Sequence, residues 1–111
     1  MDYPDVVKRK VKLIKSKPIL SDLIDQNCLG SDESIESVDY KLFIADVRDI
    51  AYVTEKLSTV EKQRPTLILT ECLLIYMKAT DSELILNGFA SLFPSVSFLN
   101  YEMIRPDDKF G

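Results

Sequence analysis

Apolar positions along the chain change period several times, and each change marks an element. Val7, Val11 and Ile14 recur at helical spacing after Asp2, which suits a helix entry, and Pro4, which suits a first turn. Pro18 stops the pattern, so the spacing predicts a helix over 2–17. Residues 40–45 form a short apolar run that ends on Asp46 and reads as a buried strand. Ile50, Val53, Leu57 and Val60 return to helical spacing, with Asp49 near the start. Pro65 then opens Thr66, Leu67, Ile68, Leu69 and Thr70, a run with β-branched residues that predicts a strand buried on both faces and closed by Glu71. A second apolar run follows at 72–77. Thr80, Asp81, Ser82 and Glu83 have the form of a capping box. Ile85, Phe89, Leu92 and Phe93 make the core-facing stripe of the helix it would start, and Pro94 ends it. Residues 96–101 predict a third strand, followed by Glu102. Residues 19–39 show no such period. Ser31, Asp32, Glu33, Ser34, Glu36 and Ser37 read there as an acidic, mobile surface loop without chemistry.

Helices alternating with strands predict an α/β domain over 1–111, with a mostly parallel sheet, flanking helices and an acidic loop insertion at 19–39. Asp46, Glu71 and Glu102 each follow a strand. In a parallel sheet those ends share one edge, where ligands bind. Taken alone, Glu71 reads equally as a cap or solvated group and as a ligand contact. A carboxylate beside a buried strand is costly unless it is paired or working, and the threefold recurrence favours a ligand crevice. There is no Gly-rich phosphate loop: the chain has three glycines, none between a strand and a helix.

Composition narrows the chemistry. The 111 residues suffice for one small domain, and 46% hydrophobic with 29% charged residues is an ordinary globular balance. No apolar run approaches the ~18 residues of a membrane span, and the first residues lack the basic-then-apolar form of a secretory leader. Histidine is absent, which removes the commonest general base, the Ser-His and Cys-His pairs and the usual zinc ligands. Cys28 and Cys72 have no metal spacing and fit a reduced, cytoplasmic setting. The net charge of −4 argues against whole-domain attraction to nucleic acid. Lys8, Arg9, Lys10, Lys12, Lys15 and Lys17 cover the first helix. A solvated face is the favoured reading of that run, and a patch for an acidic partner the other.

The stretch from Pro65 to Tyr76, with Glu71 and Cys72 after the strand, strongly resembles the post-strand signature of leucine carboxyl methyltransferases. Three further matches occur in the family's order. They are Asp2, Tyr3 and Pro4 with Arg9 and Lys10; Ile44, Ala45, Asp46, Val47, Arg48 and Asp49; and Asn100, Tyr101 and Glu102 with Asp108, Lys109, Phe110 and Gly111. The resemblance covers nearly the whole chain apart from the acidic loop. It implies a partial Rossmann-like fold, S-adenosylmethionine as cofactor, and methyl transfer to a carboxylate. The acceptor would be the C-terminal leucine of the protein phosphatase 2A catalytic subunit. The alternatives are the carboxylate on a modified guanosine methylated by the related tRNA wybutosine-synthesising methyltransferase, and a non-catalytic remnant that only binds a partner. Neither a membrane nor a metal is implied.

Carried over residue by residue, Asp2 would hold the ribose hydroxyls, Asp46 and Val47 would lie beside the adenine, and Glu71 would face the methionine portion. A carboxylate suits each task, accepting from vicinal hydroxyls, an exocyclic amine or an ammonium group. Tyr76 and Tyr101 would line the acceptor side or serve as core aromatics. Family members are much longer, and this chain corresponds to their middle. The Gly-rich turn after the first strand and most of the acceptor-binding part are expected outside it, as in an internal fragment.

Overall fold

A computed structural model of the chain describes residues 1–103 and 107. The last part of the fourth motif, Asp108 to Gly111, lies outside the described residues. The chain forms two compact units, divided between Asp49 and Ile50.

The first unit begins with Asp2 in a parallel bridge to Ile44, in which the Ala45 N–H donates to the Asp2 carbonyl at 3.0 Å. Helix α1, Pro4–Ser16, starts at once. Its N-cap is Tyr3 rather than Asp2, and no side chain caps it. Asp2 instead lies in extended backbone, its Oδ1 accepting the Tyr3 N–H at 2.9 Å. Pro4 at the first turn and Lys15 in the last suit the helix ends. A short helix α2, Pro18–Ser21, and a 3₁₀ turn, Gln26–Leu29, follow. Strands β1, Ile35–Glu36, and β2, Lys41–Leu42, then pair antiparallel, with Ile35 opposite Leu42. Ser37 and Tyr40 close the hairpin through bonds of 2.9–3.0 Å. The core is Val7, Val11, Ile24, Ile35 and Leu42, with Ile14, Cys28, Leu29 and Ile44 packed against it.

Residues 19–39 therefore differ from the mobile loop that their acidity predicts. Ile35 is wholly buried and Ile24 nearly so. The acids beside them are tied to α1: Lys8 pairs with Glu33 at 2.8 Å and Lys15 with Asp32 at 2.6 Å. Part of the basic face of α1 thus faces acids of its own chain. The strand predicted over 40–45 is also shorter than its apolar run, because its hairpin partner has only two residues and Ile44 turns to Asp2.

The second unit is built on α3, Ile50–Lys56; β3, Thr66–Glu71; α4, Ala79–Leu92; and β4, Val96–Tyr101. β3 and β4 pair in parallel with Thr66 opposite Val96 and Glu71 opposite Tyr101. Strand, helix and strand with parallel pairing make the βαβ pattern expected from the sequence. Val53, Ile85, Phe89 and Phe93 are buried, as the helical spacing predicts. The capping box does not form: α4 starts after Lys78, and Thr80 lies inside the helix. Gly88 lets α3 approach α4, since a Cβ there would lie 2.9 Å from Ile50 Cγ2.

β3 is not buried on both faces. Thr66, Ile68 and Thr70 point to the covered side, whereas Leu67 and Leu69 are 63% and 64% exposed. Leu99 and Tyr101 of β4 lie on the same open face. Apolar runs of this kind carry no period that distinguishes one covered face from two. The described sheets are thus one parallel and one antiparallel pair among helices, an α/β arrangement.

Candidate cofactor-binding site

In the first unit, Asp2 stands between its strand-like bridge and α1. Its Oδ1 holds the Tyr3 N–H and its Oδ2 accepts from Lys10 Nζ at 3.3 Å. A carboxylate offers about four acceptor positions, so both oxygens keep capacity for hydroxyl donors. Asp46 follows Ala45, where the chain leaves the bridge. Its Oδ1 accepts the Arg48 N–H at 3.0 Å and Arg48 Nε at 2.9 Å, and its Oδ2 accepts Nε at 3.1 Å and the terminal Arg48 nitrogen. These bonds, first from the side chain and then from the backbone of Arg48, hold the Asp46 carboxyl down at about 2, against an ordinary value of 3.8. Val47 between them is half-buried.

In the second unit, Glu71 closes β3 on the exposed face, opposite Tyr101 in the register. The chain then turns sharply. Cys72 has φ 46°, left-handed backbone that residues other than glycine, Asn and Asp seldom adopt. Its N–H donates to the Tyr101 carbonyl at 2.8 Å, extending the ladder one residue past Glu71. A 3₁₀ turn, Leu74–Tyr76, follows. Tyr76 and Tyr101 are 75% and 68% exposed, so neither is a core aromatic. Below them Thr70 Oγ1 donates to Asn100 Oδ1 at 2.6 Å, joining the two strands side chain to side chain.

The carboxylates expected along one sheet edge divide in their roles. Glu71 and Glu102 both stand at the C-terminal ends of the parallel pair, but only Glu71 is exposed. Glu102 is half-buried and its Oε1 accepts the Leu74 N–H at 2.9 Å and the Ile75 N–H at 3.3 Å. The sequence marks Glu102 as a strand-end acid and says nothing of this bond to a turn 27 and 28 residues earlier. The sequence does not announce the Asp46–Arg48 pair either, beyond placing an acid and an arginine two residues apart. Among the described residues no group of His, Cys, Asp and Glu could hold a metal ion, and no helix is long and apolar enough to cross a membrane. Cys28 and Cys72 are both free thiols.

In open α/β sheets ligands bind beyond the C-terminal ends of the strands, the place that Glu71 and Tyr101 occupy in the parallel pair. No protein-family model matches the chain. Over its whole length, however, it is similar to leucine carboxyl methyltransferase 1 of Bos taurus, with 39% identity across 118 residues, 100% of this chain and 36% of that protein. The Arabidopsis thaliana homolog of that methyltransferase is 34% identical across 115 residues, 100% of this chain and 35% of the relative. Human tRNA wybutosine-synthesizing protein 4 is 34% identical across 116 residues, 100% of this chain and 17% of the relative. The relatives that it matches along its whole length are therefore methyltransferases and a wybutosine-synthesizing protein. The chain is a homologue, over its whole length, of a segment of the leucine carboxyl methyltransferases, and it spans 36% of the length of the bovine relative.

Proposed function

We propose that this chain carries cofactor-binding residues of an S-adenosylmethionine-dependent carboxyl O-methyltransferase with a Rossmann-like sheet. Its acceptor is the C-terminal leucine of the protein phosphatase 2A catalytic subunit, and its compartment the cytoplasm. The observation that carries the reading is the whole-length similarity to leucine carboxyl methyltransferases. The exposure of Glu71 at a parallel-strand end, beside strained backbone at Cys72, supports it locally. Strained residues cluster where a surrounding structure holds a site in shape.

The residues present fit the cofactor as acceptors for its donor groups. In this reading Asp2 takes the ribose hydroxyls, Asp46 and Val47 flank the adenine, and Glu71 takes the ammonium group. Asp46 makes four contacts with Arg48, so accepting from an adenine amine requires Arg48 to yield one. Tyr76 and Tyr101 line the acceptor side. S-adenosylmethionine supplies a methyl group on a sulfonium. A terminal carboxylate, with a pKa of about 3.5, is ionised at neutral pH, so no general base is needed and the absence of histidine is no obstacle. The residues' task is then alignment of acceptor and donor, the main entropic term in such a transfer.

The test is calorimetric titration of S-adenosylmethionine into the chain, with Glu71→Ala and Asp46→Ala beside it. Binding that each variant weakens by about tenfold or more, the scale of one lost charged contact, is expected. A wild-type chain that binds no cofactor overturns the reading of these residues and leaves the non-catalytic one. For the acceptor, a full-length relative is given labelled cofactor with a phosphatase-tail peptide and tRNA in competition. Label in the peptide is expected, and label in tRNA overturns the choice of acceptor in favour of the wybutosine-type reaction, to which the similarity to the human protein also points.

A further inference from the structure

Three bonds run from the end of β4 to the stretch just after Glu71. The Tyr101 carbonyl takes the Cys72 N–H, and Glu102 Oε1 takes the N–H groups of Leu74 and Ile75. The 3₁₀ turn has no side-chain cap of its own at Leu73, so a carboxylate from β4's end fills that place. Charge-assisted bonds to N–H groups are roughly twice as strong as neutral ones. The other oxygen, Oε2, is buried without a hydrogen-bond partner among the described residues. A buried acceptor without a partner is costly, a cost that a side chain placed only for packing would not incur. Left-handed backbone at a residue such as Cys72 persists only where the surroundings over-determine it.

We propose that Glu102 is a positioning residue: its carboxylate fixes the 72–76 turn and thereby sets where Glu71 and Tyr76 stand. The inference rests on the reading of Glu71 as a cofactor contact for its purpose, but the hold on the turn is measurable without cofactor. Amide hydrogen exchange of the 111-residue chain is followed in wild type, Glu102→Gln and Glu102→Leu. In Glu102→Gln the turn stays protected, because the amide oxygen still accepts. In Glu102→Leu, hydrogen exchange across 72–76 speeds up by about tenfold or more, with β3 and α4 unchanged. A turn as protected in Glu102→Leu as in the wild type, or as unprotected in Glu102→Gln as in Glu102→Leu, overturns the proposal. So does loss of protection in β3 and α4 alongside the turn, which marks a general structural role. If Glu102→Leu is too unstable to observe, Glu102→Ala takes its place beside the glutamine variant. Cofactor titration then separates the two readings. A turn held as described in a chain that binds no S-adenosylmethionine leaves the role of Glu102 standing and removes that of Glu71. A chain whose affinity is unmoved in Glu102→Leu removes the positioning role alone.

Discussion

Asp46 and Arg48 show how two residues separated by one position define a local charge. The folded carboxyl at about 2 lies below its ordinary 3.8, so folding favours the ionised form. Its contribution is fully present above pH 3.8 and is lost as pH falls through about 2. With side chains 35% and 51% exposed, solvent screening keeps that contribution within the roughly 0–1 kcal/mol of surface pairs. A carbon-detected titration of Asp46 should show a midpoint near 2, and Arg48→Ala should return it toward 3.8. An unchanged midpoint in Arg48→Ala would refute the assigned cause. At this scale the sequence was informative about which acids follow strands, but not about their partners. Glu102 and Glu71 occupy equivalent places in the pattern, and only coordinates show one turned onto backbone N–H groups and the other turned outward.

Among the elements, helices were the most legible. Val7, Val11, Ile85, Phe89 and Phe93 sit where a period of 3.6 puts them. Helix starts were less so, because Lys78 and Tyr3 act as N-caps without any side-chain bond, against the pattern of Thr80 to Glu83 and of Asp2. Strand pairing depended on a partner that the local pattern does not announce: β1 is two residues in an acidic stretch. The α3–α4 contact turns on Gly88. Alanine there gains about 1 kcal/mol of helix propensity, but its Cβ would crowd Ile50 Cγ2 at 2.9 Å and Cδ1 at 3.0 Å. The branch methyl cannot swing clear without a change of χ1. Urea denaturation should therefore find Gly88→Ala destabilising in the wild-type background and stabilising in Ile50→Ala, a coupling of about 0.5–3 kcal/mol. Additive effects would mean that the helices do not meet at this point.

For the whole molecule, the two units each have a core, and each contains an isoleucine with no exposed surface, Ile35 in the first and Ile85 in the second. Ile35→Ala and Ile85→Ala should each cost about 2–5 kcal/mol, a large share of the stability of a small protein. Hydrogen exchange should report the first in α1 and the second in α4 and β3. A neutral Ile35→Ala would restore the view of residues 19–39 as a loop without structure. The acidity of that stretch hides the single apolar residues, Ile24 and Ile35, that carry its packing. The open face of β3 has the opposite origin: Leu67 and Leu69 look like core residues by type, and burial is set by what the rest of the structure lays over them.

The lysines of α1 that reach Asp32 and Glu33 also give the chain a sensitivity to its medium. Their attachments lie at the surface, where the Debye length shrinks from about 10 Å at 0.1 M salt to about 3 Å at 1 M. Concentrated electrolyte should loosen the acidic stretch there while the apolar contacts of Ile35, which carry no charge, hold on.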